Sequence, residues 1–80
     1  MDYTLVVVEW EDIVSDSSWM DDKEIEKLEP VVCRSVGWLL KKTKKLVFLG
    51  ASVTNDGSVG DRTTIPKNVI RSIKEIPYEF

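Results

Sequence analysis

Six acidic side chains, three serines and two tryptophans crowd the stretch VEWEDIVSDSSWMDD, residues 8–22; the whole chain has one cysteine and no histidine. Those counts limit the chemistry available. Without histidine there is no Ser-His-Asp or Cys-His arrangement, no imidazole base and no histidine metal site. Cys33 has no partner for a disulfide or for thiolate activation, and one cysteine cannot supply a zinc site. The run DDKEIE, residues 21–26, lacks the alternating oxygen ligands and turn glycine of a calcium loop, so it reads as a solvated helix face. The glycines of NDGSVGDR, residues 55–62, match neither phosphate-binding pattern, GxxxxGK[ST] or GxGxxG. No catalytic residue, metal or cofactor is therefore expected, and a non-enzymatic role is.

What remains is chemistry that holds rather than breaks. Trp19 has two readings. It folds back from the helix entry to plug one open end of a barrel, or it stays at a pocket mouth, where it stacks on a base or anchors a partner protein. In the second reading Ser52, Thr54, Asn55, Arg62 and Thr63 are candidate hydrogen-bonding groups, with Arg34 and Arg62 placed for a phosphate. Lys41, Lys42, Lys44, Lys45, Lys67 and Arg71 add a basic rim, but an isoelectric point near 4.8 argues against sequence-independent binding of nucleic acid.

Charge is divided along the chain. Residues 1–30 carry ten acids and two lysines, a net of −8, and residues 31–80 carry four acids and nine basic side chains, a net of +5. If folding keeps the two segments on separate faces, head-to-tail self-association or capture of an anion follows. If it interleaves them, they neutralise each other.

The elements that must position these residues are mostly strands. YTLVVVEWEDI is rich in β-branched and aromatic residues and puts Val6, Val8 and Trp10 on one face. SDSSW is a loop. MDDKEIEKLEP has Asp21 as N-cap, Glu24 as its capping-box partner and Met20 placed to staple against Ile25, so a helix of about two turns over a sheet is expected, ended by Pro30. PVVCRSVGWLLKKT and KLVFLGASVT flank a lysine turn as a hairpin. Gly37 and Gly50 fall inside those strands, where glycine commonly marks a bulge or a sharp bend. Asp56-Gly57 marks a second tight turn, and Pro66–Asn68 form one turn before a last strand.

The order strand, helix, then four strands predicts a mainly β protein with one short helix: a single domain over residues 1–80, built as a small SH3-like or Sm-like five-stranded barrel with a helical insertion after strand 1. A chain of 80 residues buries little core, which favours a homo-oligomer. The lone cysteine suits a reducing compartment, and the amino-terminal segment reads as neither signal peptide nor membrane span.

The succession WEDI, SSW, SVGWLL, LVFLGAS and IPKNVIRSI resembles a group of small single-domain proteins encoded by bacteriophages and prophages, with Trp10, Asp12, Trp19, Gly37 and Pro66 carrying the likeness. The resemblance implies a phage origin and a location in the host cytoplasm, and it lends no activity. Two functions are then expected: sequestration of a small anionic nucleotide signal of host defence, or inhibition or redirection of a host protein through the acidic segment. A virion component is a third.

Overall fold

The computed structural model describes residues 3–78. Five antiparallel strands form one sheet: β1 (Thr4–Asp12), β2 (Val31–Lys42), β3 (Leu46–Val53), β4 (Val59–Pro66) and β5 (Ile70–Glu75), in the order β4-β3-β2-β1-β5. A one-turn helix, α1 (Asp22–Ile25), follows β1, and a 3-10 turn, η1 (Lys67–Val69), joins β4 to β5. The mainly β expectation is met.

Alternation along β1 decides which face is buried. Val6 and Val8 point inward, 1% and 0% exposed, and meet Val47, Leu49 and Ile65 from β3 and β4. Trp10, Leu39, Val69, Ile70 and Ile73 pack around this centre. Trp10 keeps its apolar ring on the core and donates its indole Nε1–H to Ser35 Oγ at 3.0 Å, so its one polar atom is satisfied. The opposite face carries Glu9 against Arg34, and Trp38 meets Tyr78 edge to face at 5.2 Å.

The sheet curls. β4 ends with Pro66 opposite Leu46, and β5 begins with Ile70 opposite Trp10, yet only the three residues of η1 separate these two edge strands. The Lys67 N–H donates to the Lys45 carbonyl at 2.8 Å, fixing the turn against the β2–β3 connection. No ladder joins β4 to β5 among the described residues, so the curl stops short of a closed barrel.

Gly37 and Gly50 serve close approach rather than bulging. A Cβ on Gly50 would fall 2.6 Å from Val59 Cγ1, and one on Gly37 would fall 3.0 Å from the Gly50 carbonyl oxygen. The β2–β3 register instead shifts between Leu39 and Lys41, and a second irregularity sits at Glu9/Trp10 in the β1–β5 pair.

The helix is shorter than expected. Asp21 caps it as read from sequence, its carboxylate accepting from the Glu24 N–H at 2.8 Å. After the first turn, however, Lys27 and Leu28 donate to the carbonyls three residues back, a tighter winding. Like charges at the four-residue spacings, Asp22 to Glu26 and Lys23 to Lys27, are offset by opposite charges at the three-residue spacings, Lys23 to Glu26 and Glu24 to Lys27, so charge does nothing to extend so short a helix. Nor does it lie on the sheet, since Ile25 and Leu28 are both exposed.

Candidate functional site

The connection between β1 and β2, residues 13–30, leaves the sheet as an arm. Its ends are pinned where Asp12 pairs with Val31, and between them it makes one cap, one helical turn and one tight bend in which the Ser18 N–H donates to Asp16 Oδ1 at 2.8 Å. That bond from the Ser18 backbone, followed by the Ser18 side chain, holds the Asp16 carboxyl below its ordinary value.

The arm keeps its large apolar side chains in solvent. Trp19 is 101% exposed and Ile13 is 89% exposed, with Val14, Ile25 and Leu28 also exposed. The expected barrel plug is therefore corrected: Trp19 does not fold back onto the core, and its ring stays in solvent at the edge of the arm. Between arm and sheet lies an open cleft of about 920 Å³. Its walls include Ile13, Val14, Met20, Leu28 and, from η1, Val69, and its rim carries the carboxylates of Glu11, Asp12, Asp16 and Glu29. Trp19 belongs to the same lining.

Of the residues singled out from sequence, the cleft takes in Trp19 and none of the other six. Arg34 lies on β2 and donates its Nε–H to Glu9 Oε2 at 2.9 Å, an exposed pair that Arg71 extends at 3.8 Å to Glu9 and 4.0 Å to Glu11. Ser52, Thr54 and Asn55 sit at the end of β3 and in the turn after it. There the Thr54 hydroxyl donates to Asp56 Oδ1 and accepts from the Ser58 N–H, so it serves the turn itself. Arg62 and Thr63 are neighbours on the edge strand β4 and so project to opposite faces.

The cleft residues that sequence reasoning passed over are Ile13, Val14, Leu28 and Val69. A signal existed for the first two: an apolar pair placed directly after the strand and directly before SDSSW has no strand partner to cover it.

The described residues hold no group of three or more His, Cys, Asp or Glu side chains able to bind a metal ion. None of their charged or polar side chains is buried. Cys33 is half-buried in β2. Among the described residues no helix is long and apolar enough to cross a membrane. Comparison with known proteins finds no matching family model, no matching curated protein and no matching solved structure.

Proposed function

We propose that this protein is a non-enzymatic binding module whose acidic arm receives a basic, partly apolar segment of another protein. One observation carries the reading: a wholly exposed tryptophan, Trp19, belongs to an apolar cleft whose rim is carboxylate. An aromatic ring held in water with apolar neighbours gains by being covered, and a lysine or arginine laid over its face adds about 0.5–2 kcal/mol. The rim carboxylates contribute mainly to encounter rate and to rejection of acidic partners. In the phage setting that the resemblance implies, the partner is a host protein that the arm inhibits or redirects.

The scaffold reading belongs here too. We also propose an SH3-like or Sm-like scaffold, a reading supported by the sheet order β4-β3-β2-β1-β5 and by the 3-10 turn between its edge strands, whose Val69 lines the arm's cleft. Sequestration of an anionic nucleotide has less support, because four carboxylates line the cleft and phosphate would be repelled. Arg34, its nearest candidate by strand pairing, is already engaged by Glu9.

Titration with a synthetic peptide alternating lysine and leucine, followed by tryptophan fluorescence, tests the reading. Saturable binding that weakens with salt and is lost in Trp19→Ala supports it. Binding that is absent, or indifferent to Trp19→Ala, removes it.

A further inference from the structure

We infer that the partner of the arm is first of all a second copy of this chain, in a reciprocal dimer in which each arm covers the lysine turn of the other protomer. The inference rests on the binding-module reading and adds the identity of the occupant.

Surface area gives the first argument. A compact monomer of 9.1 kDa exposes about 4,900 Å². This chain exposes 6661 Å², roughly 1,800 Å² in excess, as much per protomer as interfaces of obligate dimers remove. Shape agrees: the radius of gyration is 16.5 Å where a chain of this length packs to about 12 Å, and the molecule measures 55 × 24 × 21 Å. The most exposed of the large apolar residues, Trp19 and Ile13, both lie on the arm.

Charge identifies the occupant. Residues 13–30 hold six acids and two lysines, a net of −4, and residues 41–45 hold four lysines and no acid, a net of +4. Among the described residues no ion pair joins an arm carboxylate to Lys41, Lys42, Lys44 or Lys45 of its own chain. The turn is preformed, since Thr43 Oγ1 accepts from the Leu46 N–H at 3.0 Å and from the Lys45 N–H at 3.3 Å. Lysine stems are long enough to cover an indole face while their ammonium groups reach the rim.

Geometry makes the contact reciprocal. η1 starts at Lys67, bonded to the Lys45 carbonyl, and ends at Val69 in the cleft wall. The lysine turn therefore bonds one end of a single 3-10 turn, and the other end of that turn lines the arm's cleft. Two copies facing each other across a two-fold axis make both acidic-to-basic contacts at once, and the assembly closes.

Sedimentation velocity of the full chain over a concentration series tests this. Wild type should dimerise, with Trp19 emission shifting to the blue. Lys41→Glu/Lys42→Glu/Lys44→Glu/Lys45→Glu should be monomeric, as should Asp12→Lys/Asp16→Lys/Glu29→Lys, which reverses carboxylates of the cleft, each dissociating at least about tenfold more readily. Mixing the two reversed variants should restore a dimer, which a misfolded variant could not do. A wild-type chain that stays monomeric up to about 1 mM overturns the inference, as does failure of the mixture to pair. If such a monomer still binds the lysine-leucine peptide through Trp19, the binding-module reading stands alone; if it binds nothing, both fall.

Discussion

The sheet and the arm both carry large apolar side chains and use them in opposite ways. In the sheet, Val6, Val8 and Val47 are wholly withdrawn from water, held by ladders on both sides of β1 and by the packing of Leu49 and Ile65. In the arm, Trp19, Ile13 and Leu28 stay in solvent, and backbone order comes from one Asp21 cap and one Asp16 turn. Folding free energy is thus concentrated in residues the arm does not contain, and under the proposed binding role association free energy would lie in residues the sheet does not need. A region that kept five large apolar side chains wet for no return would be an aggregation liability. In the proposed binding role, the carboxylates beside them would make the arm selective for a basic surface.

The largest effect that would break this division is in the sheet. Leu49→Ala removes a side chain that is 3% exposed at the centre of the core and should destabilise the fold by about 2–5 kcal/mol in urea denaturation. A loss of under about 0.5 kcal/mol, the range of surface substitutions, would show that the sheet is not where stability resides. Trp19→Ala is the mirror experiment. It should move the urea midpoint negligibly, within about 0.5 kcal/mol, and weaken binding of the basic partner by about 2 kcal/mol, as truncation of an aromatic anchor does. A stability loss as large as the affinity loss would mean that the ring packs somewhere in solution, and the arm would then be part of the fold.

The contrast also separates what the residues announced from what they concealed. β1 is legible because Val6, Val8 and Trp10 recur at a spacing of two with Glu9 and Glu11 on the other face, and the second tight turn because Asp-Gly is a turn pair, which Gly57 meets with a positive φ of 91°. The turn expected at Pro66–Asn68 before a last strand is met, within a residue, by η1 and β5. The cap at Asp21 is legible in the sequence, but the length of α1 is not, because a short helix depends on packing its apolar face and Ile25 and Leu28 stay exposed. Trp19 was harder still. Nothing local distinguishes a tryptophan that folds inward from one that does not; that depends on whether sheet lies beneath the arm, which is set by pairings thirty or more residues away. Whether a polar set converges around Trp19 is illegible for the same reason, and the structure scatters Arg34, Thr54 and Arg62 over two strands and a turn.

Within the arm, Asp21→Ala sharpens the comparison at smaller scale. Loss of the cap typically costs about 1 kcal/mol of local helix stability, and α1 has little else to hold it. Amide exchange should accelerate at Glu24 and Ile25 and stay unchanged at Val6 and Val8, because opening the arm breaks no ladder. Acceleration across β1 would mean that arm and sheet open together, as one cooperative unit.

The smallest effect uses the one device both regions share. Asp16 in the arm and Asp56 in the β3–β4 turn each accept a hydrogen bond from the backbone two residues on, at 2.8 Å from Ser18 and 3.1 Å from Ser58. Both carboxyls are lowered from the ordinary 3.8, Asp56 first of all by the Thr54 hydroxyl and Asp16 by the Ser18 backbone. A lowered folded-state value means that the bond contributes fully above the unfolded value and is lost as pH falls through the folded one. Acidification below the usual carboxylate range should therefore loosen both turns, and Asp56→Asn and Asp16→Asn should each remove that pH dependence at one site. The consequences diverge. The Asp56 turn closes the β3–β4 ladder that holds Val47 and Leu49 against Ile65, so its loosening should register in the amide shifts of Val53 and Val59, which pair across the hairpin end. The Asp16 turn closes nothing beyond the arm, and its loosening should reach Ser18 and the indole of Trp19 and stop there. An NMR titration in which Asp16→Asn changed the acid response of Val53 would tie the arm to the ladder, and the independence of binding and folding would be lost.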